Sequence, residues 1–246
     1  MTSAVNEAER YTESDHLMWA RLFDGYLERL PKYGCREVIA GFQKLGFRRR
    51  VESIAELSER VYDICGWRLQ AVKGMVPVRG FFDLLSEKVY PMAVQIRQPH
   101  ELEFAELPDR FHDAFGHLPL LVHPPYTRYL ERYAETVSRY IDSEQVVGAF
   151  GRLYWYTTET GLVMEDGREK IFGAAILTSR AECENAMSEK TGKLPLDLGT
   201  IFDVEYDNLK LQPRYFIIES FESLLSIAED LDAHARRLHE TGACHC

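Results

Sequence analysis

Long apolar runs and an apolar leader are both missing from this sequence. None of its hydrophobic stretches approaches the roughly 20 residues that a membrane-spanning helix needs. The opening stretch, MTSAVNEAERYTESD, is polar and acidic, whereas a secretory signal is basic and then apolar. We therefore expect a cytoplasmic protein that has no membrane partner.

Basic charge and cysteine are also in short supply. Lys and Arg number 29 against 39 Asp and Glu, which gives a net charge of -10 at pH 7. A chain of this charge repels phosphate backbones, so we expect no nucleic acid partner. The five cysteines are odd in number and mostly scattered, which is not the pattern of a disulfide framework and fits a reducing compartment.

Internal repeats, low-complexity segments and Gly/Ser linkers are absent as well. What is present is a composition with 46% hydrophobic and 12% aromatic residues, which can fill one large core. We therefore expect one catalytic domain over residues 1–246, with flexible ends at 1–10 and 241–246.

Most of the chain has helical spacing of its apolar residues, and the fold is predicted to be mostly α with short β strands. The first helix should begin at a Ser14 cap and stop at Pro31, and another should end near Gly116. Helices are predicted over 14–30, 35–46, 53–66, 79–89, 108–117, 126–141, 143–163 and 218–240. Short extended segments are predicted over 67–72 and 90–96, and a strand that becomes a turn over 171–179.

The stretch RFHDAFGHLPLL at 110–121 contains two histidines, His112 and His117. On a regular helix, residues five apart lie about 140° apart around the axis, so these rings converge only where the helix ends or bulges. Gly116 permits either geometry. Taken alone, the pair fits a metal site and also fits two histidines beside an apolar core.

A carboxylate in an apolar segment adds a third candidate ligand. Glu159 lies within RLYWYTTETGLV at 152–163, where Tyr154, Trp155, Tyr156 and Leu162 leave only a narrow wet face. Burying a carboxylate is costly unless it is paired or bound to a cation. Two histidines and one carboxylate form the facial triad that holds non-haem Fe(II) and leaves the opposite positions open.

Eight blocks of sequence, in order and in spacing, carry a family resemblance. They are YTESDHLMW, CGWRLQAVKGMV, QIRQ, LPDRFHDAFGHLPLL, YWYTTETGL, FGAAILTSRAE, SEKTGKLPLDL and LQPRYFIIESF. From about Tyr11 to Phe221 the sequence resembles the catalytic domain of the pterin-dependent aromatic amino acid hydroxylases, above all the compact bacterial phenylalanine hydroxylases. The resemblance implies that family's mostly α fold with iron in a central cleft.

The resemblance also implies the chemistry, which is hydroxylation of the ring of a free aromatic amino acid by O2. The cofactors would be Fe(2+) and a reduced pterin, either tetrahydrobiopterin or a related tetrahydropterin. His112, His117 and Glu159 would be the iron ligands. Thr178 would hydrogen-bond a ligating histidine, and Glu182 would steady the adjoining loop.

The substrate site follows from the same resemblance. Arg97 would bind the substrate carboxylate, and Asp109 would hold Arg97 in place through a charged hydrogen bond. Trp155 would form part of the cage around the aromatic ring. Ser179, beside Thr178, would also contact the carboxylate.

For the pterin, the resemblance implies that Phe81 stacks on the ring. The backbone around Val76 and Val78 would pair with the ring edge, and Asp113 and Tyr154 would flank it. On its residue type alone, Phe81 fits an ordinary core position equally well.

Several positions depart from the family's pattern. Before the first histidine, Ala105 and Leu107 replace the usual Thr and Glu, and Asp113 replaces the usual Glu after it. Thr160 replaces Phe after the metal-binding Glu, and Ala175 replaces Gly in the following block. We predict that Thr160 and Ala175 line the substrate pocket, where a loss of ring volume and an added methyl would move the substrate.

A displacement of about 1 Å relative to the iron is enough to alter reactivity strongly. The sequence therefore leaves three products open: tyrosine from phenylalanine by para hydroxylation, m-tyrosine by meta hydroxylation, and hydroxytryptophan. Two other classes are also consistent with the residues, a zinc hydrolase and a non-catalytic sensor of aromatic ligands. The length leaves no room for a regulatory domain, and we expect a monomer.

Overall fold

The computed structural model describes residues 11–102, 105 and 107–243. Helices predominate in it, as the apolar spacing predicted. They are Glu13–Tyr33 (α1), Arg36–Leu45 (α2), Ile54–Cys65 (α3), Val78–Ser86 (α4), Leu118–Leu121 (α5), Pro124–Arg139 (α6), Glu144–Tyr154 (α7), Ala174–Leu177 (α8), Arg180–Ala186 (α9), Leu198–Ile201 (α10) and Phe221–Ala243 (α11). Of the predicted flexible ends, 1–10 and 244–246 lie outside the described residues, whereas residues 241–243 continue α11.

The strands are short and form two small sheets. They are Arg68–Val72 (β1), Val89–Ala93 (β2), Leu162–Glu165 (β3), Arg168–Ile171 (β4), Gly192–Pro195 (β5) and Arg214–Ile218 (β6). Strands β1 and β2 pair in parallel, with Arg68 opposite Val89 and Val72 opposite Ala93. The other sheet has the order β4-β3-β6-β5, in which only the β3–β4 pair is antiparallel.

Both predicted limits of the first helix were wrong. The side chain that caps α1 is that of Thr12 rather than Ser14, because Thr12 and Asp15 form a reciprocal capping box. The helix also continues through Pro31 to Tyr33. Pro31 lies in the last turn, where its missing N–H removes only one helical hydrogen bond.

The helix predicted over 108–117 does not end at Gly116. It passes through a π-helical turn, His112–His117, and continues without a break into α5. Gly116 has a packing role instead, because a Cβ there would lie 2.7 Å from the Cβ of Ala174 in α8. The glycine therefore permits close contact between this turn and α8.

The helix predicted over 143–163 is too long, and the prediction for 171–179 misses a helix. After α7 the chain forms a second π-helical turn, Trp155–Glu159, and residues from Leu162 onward join β3. Strand β3 pairs with β4 and with the distant β6, so long-range pairing overrides the local helical pattern. Residues from Ala174 onward form α8 rather than a turn.

Phe115 anchors the first π-helical turn in the core. Its ring, fully buried, lies 4.9 Å from those of Trp19 and Phe47, 5.2 Å from that of Tyr26 and 5.5 Å from that of Phe42. The Tyr26 hydroxyl also donates a 2.7 Å hydrogen bond to the Phe115 carbonyl. Aromatic packing from α1 and α2 thus holds the histidine-bearing turn in place.

Among the described residues, no helix combines the length and apolar character needed to cross a membrane. Three cysteines in this part of the chain, Cys35, Cys65 and Cys183, are free thiols, as the scattered pattern predicted.

Helix α2 packs against α5 at Gly41, and this contact generates a test of the fold. A Cβ at Gly41 would lie 1.9 Å from the Pro119 carbonyl oxygen, so Gly41→Ala should lower the free energy of unfolding by about 1–3 kcal/mol. Gly151, in α7, has open space around its missing Cβ, so Gly151→Ala should raise that free energy by about 0.5–1 kcal/mol. Urea unfolding measures both, and a Gly41→Ala protein as stable as the parent would contradict this packing.

Candidate metal centre and substrate cleft

The first π-helical turn brings the two predicted histidines together. A π-helical turn joins residues five apart in its hydrogen bonds, so His112 and His117 lie one turn apart on the same face. Their Nε2 atoms are 3.0 Å from each other. The five-residue spacing is therefore what this local geometry requires for convergence.

The second π-helical turn ends in Glu159 and delivers the carboxylate. Glu159 Oε1 lies 3.3 Å from His117 Nε2, and Oε2 lies 3.5 Å from His112 Nε2. The hydroxyls of Thr157 and Thr158, in the same turn, hydrogen-bond the buried tyrosines Tyr129 and Tyr126 of α6. The three candidate ligands, which come from two turns distant in the chain, offer donor atoms within 4.8 Å of one another.

The donor set fits a six-coordinate ferrous ion. Two ligands at right angles, each about 2.1 Å from one ion, lie about 3.0 Å apart, which matches the two Nε2 atoms. Two imidazoles and one carboxylate are also the donors of the facial triad. Thr178 Oγ1 donates to the Ala174 carbonyl and so accepts from His112 Nδ1, at 3.2 Å. This assigns the proton of His112 to Nδ1 and leaves the Nε2 lone pair for a metal.

Burial and mutual charge set the protonation of these ligands. Burial lowers the pKa of His112 to about 4, which keeps its imidazole neutral. Burial would raise the pKa of Glu159, but the two histidines outweigh this and lower it. Burial would likewise lower the pKa of His117, but the Glu159 carboxylate outweighs it and raises that pKa. An ionised carboxylate beside imidazoles is the form that binds a cation.

Arg97 and Asp109 form the predicted ion pair, and the pair is buried. Arg97 Nε and Nη2 donate to the two Asp109 oxygens at 3.0 and 2.8 Å, and the exposed side-chain fractions are 4% and 3%. Burial would raise the pKa of Asp109, but the hydrogen-bonded guanidinium outweighs it and lowers the pKa. Asp109 also accepts from the His112 backbone N–H at 3.0 Å. The pair therefore links Arg97 rigidly to the metal-binding turn.

Arg97 and two of the candidate ligands, His112 and Glu159, border a cavity of about 230 Å³, which we call the substrate cleft. Its described lining comprises Arg97, Ala105, Leu107, Pro108, His112, Tyr154, Trp155, Glu159, Ala175, Thr178, Ser179 and Asn208. Of the residues predicted to bind substrate, this lining includes Arg97, Trp155, Ala175, Thr178 and Ser179, whereas Asp109 contacts Arg97 and is not part of the described lining.

Thr160 and Asn208 are two of the positions where the cleft differs from the sequence prediction. Thr160 lies behind Trp155 rather than among the described lining residues, and its buried hydroxyl donates to the Trp155 carbonyl at 2.8 Å. Asn208 lines the cleft but was not predicted. Its exposed, polar segment has no periodicity, and only the folded chain brings it to the cleft.

A second cavity of about 140 Å³ borders all three candidate ligands, and we call it the pterin cavity after the role predicted for several of its residues. The predicted residues Val76, Phe81, Asp113 and Tyr154 line it, together with His112, His117 and Glu159. Val78 is not among its described lining residues; it begins α4 and is 52% exposed. The two cavities share His112, Tyr154 and Glu159, so a metal would face both.

Asp113 and Tyr90 are two buried residues that line the pterin cavity. Asp113 accepts from the Ala93 backbone N–H at 2.6 Å, and burial raises the pKa of Asp113 to about 7. Tyr90, which was not predicted, is 3% exposed and its ring lies 5.3 Å from that of His117. Tyr90 belongs to the segment VYPMAVQI, whose sequence is typical of an ordinary strand. The sequence therefore offers no signal that singles it out.

Glu182, which was predicted to steady the loop after Thr178, contacts two other segments of the chain. Ser179 caps α9 by accepting from the Glu182 backbone N–H at 3.3 Å. One Glu182 carboxylate oxygen accepts from the Gln212 backbone N–H at 3.0 Å, and the other accepts from the Tyr215 hydroxyl. Glu182 thus ties the segment after Ser179 to the chain that leads into β6.

Comparison with known sequences gives one family and a consistent set of relatives. The profile of the family described as biopterin-dependent aromatic amino acid hydroxylase matches residues 4–241. Phenylalanine-4-hydroxylase of Chromobacterium violaceum is 34% identical over 221 residues, which cover 88% of this chain and 73% of that protein. The Ralstonia nicotianae phenylalanine-4-hydroxylase is 35% identical over 217 residues, with 87% and 69% covered.

Solved structures of phenylalanine hydroxylases also match this chain. Phenylalanine hydroxylase of Chromobacterium violaceum with bound oxidised Fe(III) matches with a TM-score of 0.88 at 33% identity, covering 92% of this chain and 82% of that one. The same protein with iron (III) and oxidised 7,8-dihydrobiopterin matches at 0.87 and 33% identity, with 93% and 84% covered. Phenylalanine hydroxylase of Legionella pneumophila matches at 0.86 and 32% identity, with 94% and 93% covered.

The hydrogen bond from His112 to Thr178 can be tested through metal affinity. Thr178→Val removes the acceptor that orients His112, and it should weaken Fe(II) binding by about 10–100-fold. Thr178→Ser retains the hydroxyl and should bind like the parent. Anaerobic titration of metal-free protein with Fe(II) gives both constants. Equal affinities for Thr178→Val and Thr178→Ser would show that this contact does not orient the ligand.

Proposed function

The chain belongs to the biopterin-dependent aromatic amino acid hydroxylase family, and we propose that it hydroxylates free phenylalanine at the para position to give tyrosine. His112, His117 and Glu159 would hold Fe(II), with tetrahydrobiopterin or a related tetrahydropterin as the electron donor. The carrying observation is that the three donors converge, that His112 and Glu159 line both cavities, and that His117 lines the pterin cavity. Curated bacterial relatives named phenylalanine-4-hydroxylase support the substrate and the ring position.

When bound, the iron and the reduced pterin together supply the two-electron activation of O2. The protein's own residues bind and orient the reactants around them. His112, His117 and Glu159 would hold the metal, and three protein donors would leave coordination positions for the reactants. Because both cavities border the same ligands, the amino acid and the pterin are brought to one centre while the surrounding core excludes bulk water.

Arg97 would bind the amino acid by its carboxylate. A guanidinium has five N–H donors. Asp109 accepts from the N–H of Nε and from one N–H of Nη2, so three N–H groups remain for a second carboxylate. The salt bridge with Asp109 fixes the orientation of the guanidinium plane. The guanidinium would in turn fix the carboxylate end of the substrate. Trp155 and Ser179 would contact the bound amino acid from the cleft walls.

In the pterin cavity, Phe81 would stack on the pterin ring and Tyr154 would flank it. The buried Asp113 would accept from an N–H at the ring edge, and the backbone at Val76 would pair with the remaining edge. A planar heterocycle with donors and acceptors along its edges needs this combination of a ring face and polar backbone.

The position of Thr160 favours para over meta hydroxylation. Its side chain bonds the Trp155 carbonyl behind the cleft wall, so its small size does not directly enlarge the space for the substrate. Ala175 does line the cleft, and its methyl only narrows it relative to glycine. The curated hydroxylases among the relatives also favour this function over a zinc hydrolase or a non-catalytic sensor.

Product analysis tests the proposed reaction. Fe(II)-loaded protein with phenylalanine, tetrahydrobiopterin and O2 should give para-tyrosine, identified by chromatography against the three tyrosine isomers and by NMR. Parallel reactions contain tryptophan or tyrosine, and a control replaces Fe(II) with Zn(II). Mainly m-tyrosine, or turnover of tryptophan alone, would contradict the proposed substrate and ring position, and turnover with Zn(II) would contradict the iron chemistry.

The planar guanidinium of Arg97 gives a second test of the proposed function. Arg97→Lys keeps the positive charge but cannot bond two carboxylates in a planar geometry, so the KM for phenylalanine should rise by about tenfold or more. Arg180→Lys, at an exposed arginine in α9, is the matched control and should leave KM unchanged. Urea unfolding of both variants separates lost binding from lost stability. An unchanged KM in a folded Arg97→Lys protein would remove Arg97 from the substrate site.

We also infer that the chain acts in the cytoplasm, as a monomer, and with the described residues forming one catalytic unit. The free thiols of Cys35, Cys65 and Cys183 support a reducing compartment. The hydrophobic core runs from α1 to α11 as one cluster, which supports a single unit.

A further inference from the structure

Gln212 connects two parts of the substrate cleft through its side-chain amide. The residue is 3% exposed and lies just before β6. Its Oε1 accepts a hydrogen bond from Trp155 Nε1 at 3.1 Å. Its Nε2 donates to the carbonyls of Asp207 at 2.8 Å and Lys210 at 2.7 Å. Both ends of the amide are therefore used, one on an indole and the other on a turn.

The turn at 207–210 contributes directly to the cleft. It carries Asn208, which is among the cleft-lining residues, and it is closed by an ion pair between Lys210 Nζ and Asp207 Oδ2 at 2.7 Å. Immediately before it, the ring of Tyr206 stacks on that of Trp155, with centroids 4.6 Å apart and planes at 9°. One glutamine thus holds both the aromatic wall and the segment that packs on its outer face.

The backbone of Gln212 is anchored as firmly as its side chain. Its N–H donates to Glu182, and its carbonyl accepts from Asn185 Nδ2 at 2.8 Å. Asn185 Nδ2 also donates to the Tyr215 hydroxyl at 2.7 Å, and that hydroxyl donates to Glu182. These contacts fix Gln212 to α9, the helix that Ser179 caps at the edge of the cleft.

A buried, fully bonded amide would also stabilise any fold, so its location decides its role. Both groups that the amide holds, Trp155 and the turn with Asn208, line the substrate cleft. We propose that Gln212 is a positioning residue, which fixes Trp155 and Asn208 relative to each other and so sets where the substrate ring lies. The proposal rests on the proposed function of the cleft. It does not require Gln212 to touch the substrate.

Two variants separate the contribution of the Gln212 side-chain acceptor from that of its donor. Gln212→Met keeps the length of the side chain but loses the acceptor and the donor. Gln212→Glu keeps an acceptor for Trp155 Nε1 but places a carboxylate oxygen against two carbonyls, so it should release only the turn. Gln43→Met, at an exposed position in α2, is the matched control.

The direct readout is fluorine NMR of metal-free protein labelled with 5-fluorotryptophan. The chain has three tryptophans, and Trp155→Phe identifies the resonance of Trp155. In Gln212→Met this resonance should shift and broaden while those of the core residues Trp19 and Trp67 stay in place. In Gln212→Glu it should stay closer to its parent position. Gln43→Met should leave all three unchanged.

In the iron- and pterin-loaded enzyme, Gln212→Met should raise the KM for phenylalanine by about 3–10-fold, the loss expected for one hydrogen bond. The ratio of tyrosine formed to pterin oxidised should also fall, because a displaced ring reacts less efficiently. If Gln212→Met does not fold, Gln212→Glu carries the same test through the product ratio and the KM.

Two results would overturn the positioning role: a Trp155 resonance and KM that match the parent in a folded Gln212→Met protein, or equal shifts of all three tryptophan resonances. Failure of the proposed function is distinguishable. It would appear as parent enzyme that hydroxylates no aromatic amino acid, whereas the fluorine spectra are recorded without iron or pterin and do not depend on turnover.

Discussion

The convergence of His112, His117 and Glu159 is the constraint on which the rest of the structure depends. A regular helix cannot bring two histidines five residues apart onto one face, and the π-helical turn at His112–His117 does so. Glu159 ends a second such turn. A π-helical turn opens the regular hydrogen-bond ladder, so each needs outside support. The Tyr26 hydroxyl supports the first, and tyrosines of α6 support the second.

The organisation around this centre follows from where the ligands lie. Because His112 and Glu159 line both cavities, a metal held by the three donors would be accessible from the substrate cleft and from the pterin cavity. The buried pair of Arg97 and Asp109 is bonded to the backbone of His112. Arg97, the proposed anchor for the amino acid, is thus fixed to the turn that carries the two histidines. The distance between substrate and metal therefore depends on few movable parts.

The cleft has a second layer that no linear pattern reveals. Gln212, Glu182 and Tyr215 lie far along the chain from Trp155, yet one network joins them to its indole. Thr160 shows the converse, because it follows a candidate ligand in the chain and yet is not among the described residues that line the cleft. A change from the family's pattern beside a ligand suggests a reshaped pocket, but its side chain bonds the backbone behind the wall. Chain neighbours of a ligand thus need not be neighbours of the substrate.

The amino-acid sequence determined the helical class through apolar periodicity, which is a local signal. It indicated the candidate ligands and the pairing of Arg97 with Asp109 through ordered family motifs, but not the burial of that pair. It also indicated most of the residues that line the two cavities. It did not predict the two π-helical turns, the pairing of β3 with β6, the true limits of α1, or the roles of Asn208, Tyr90 and Gln212. Those features depend on packing between segments distant in the chain: Gly116 against Ala174, strand against strand, and an amide against an indole. Only the tertiary structure decided them, since the free energy of such contacts is gained only after the chain has folded.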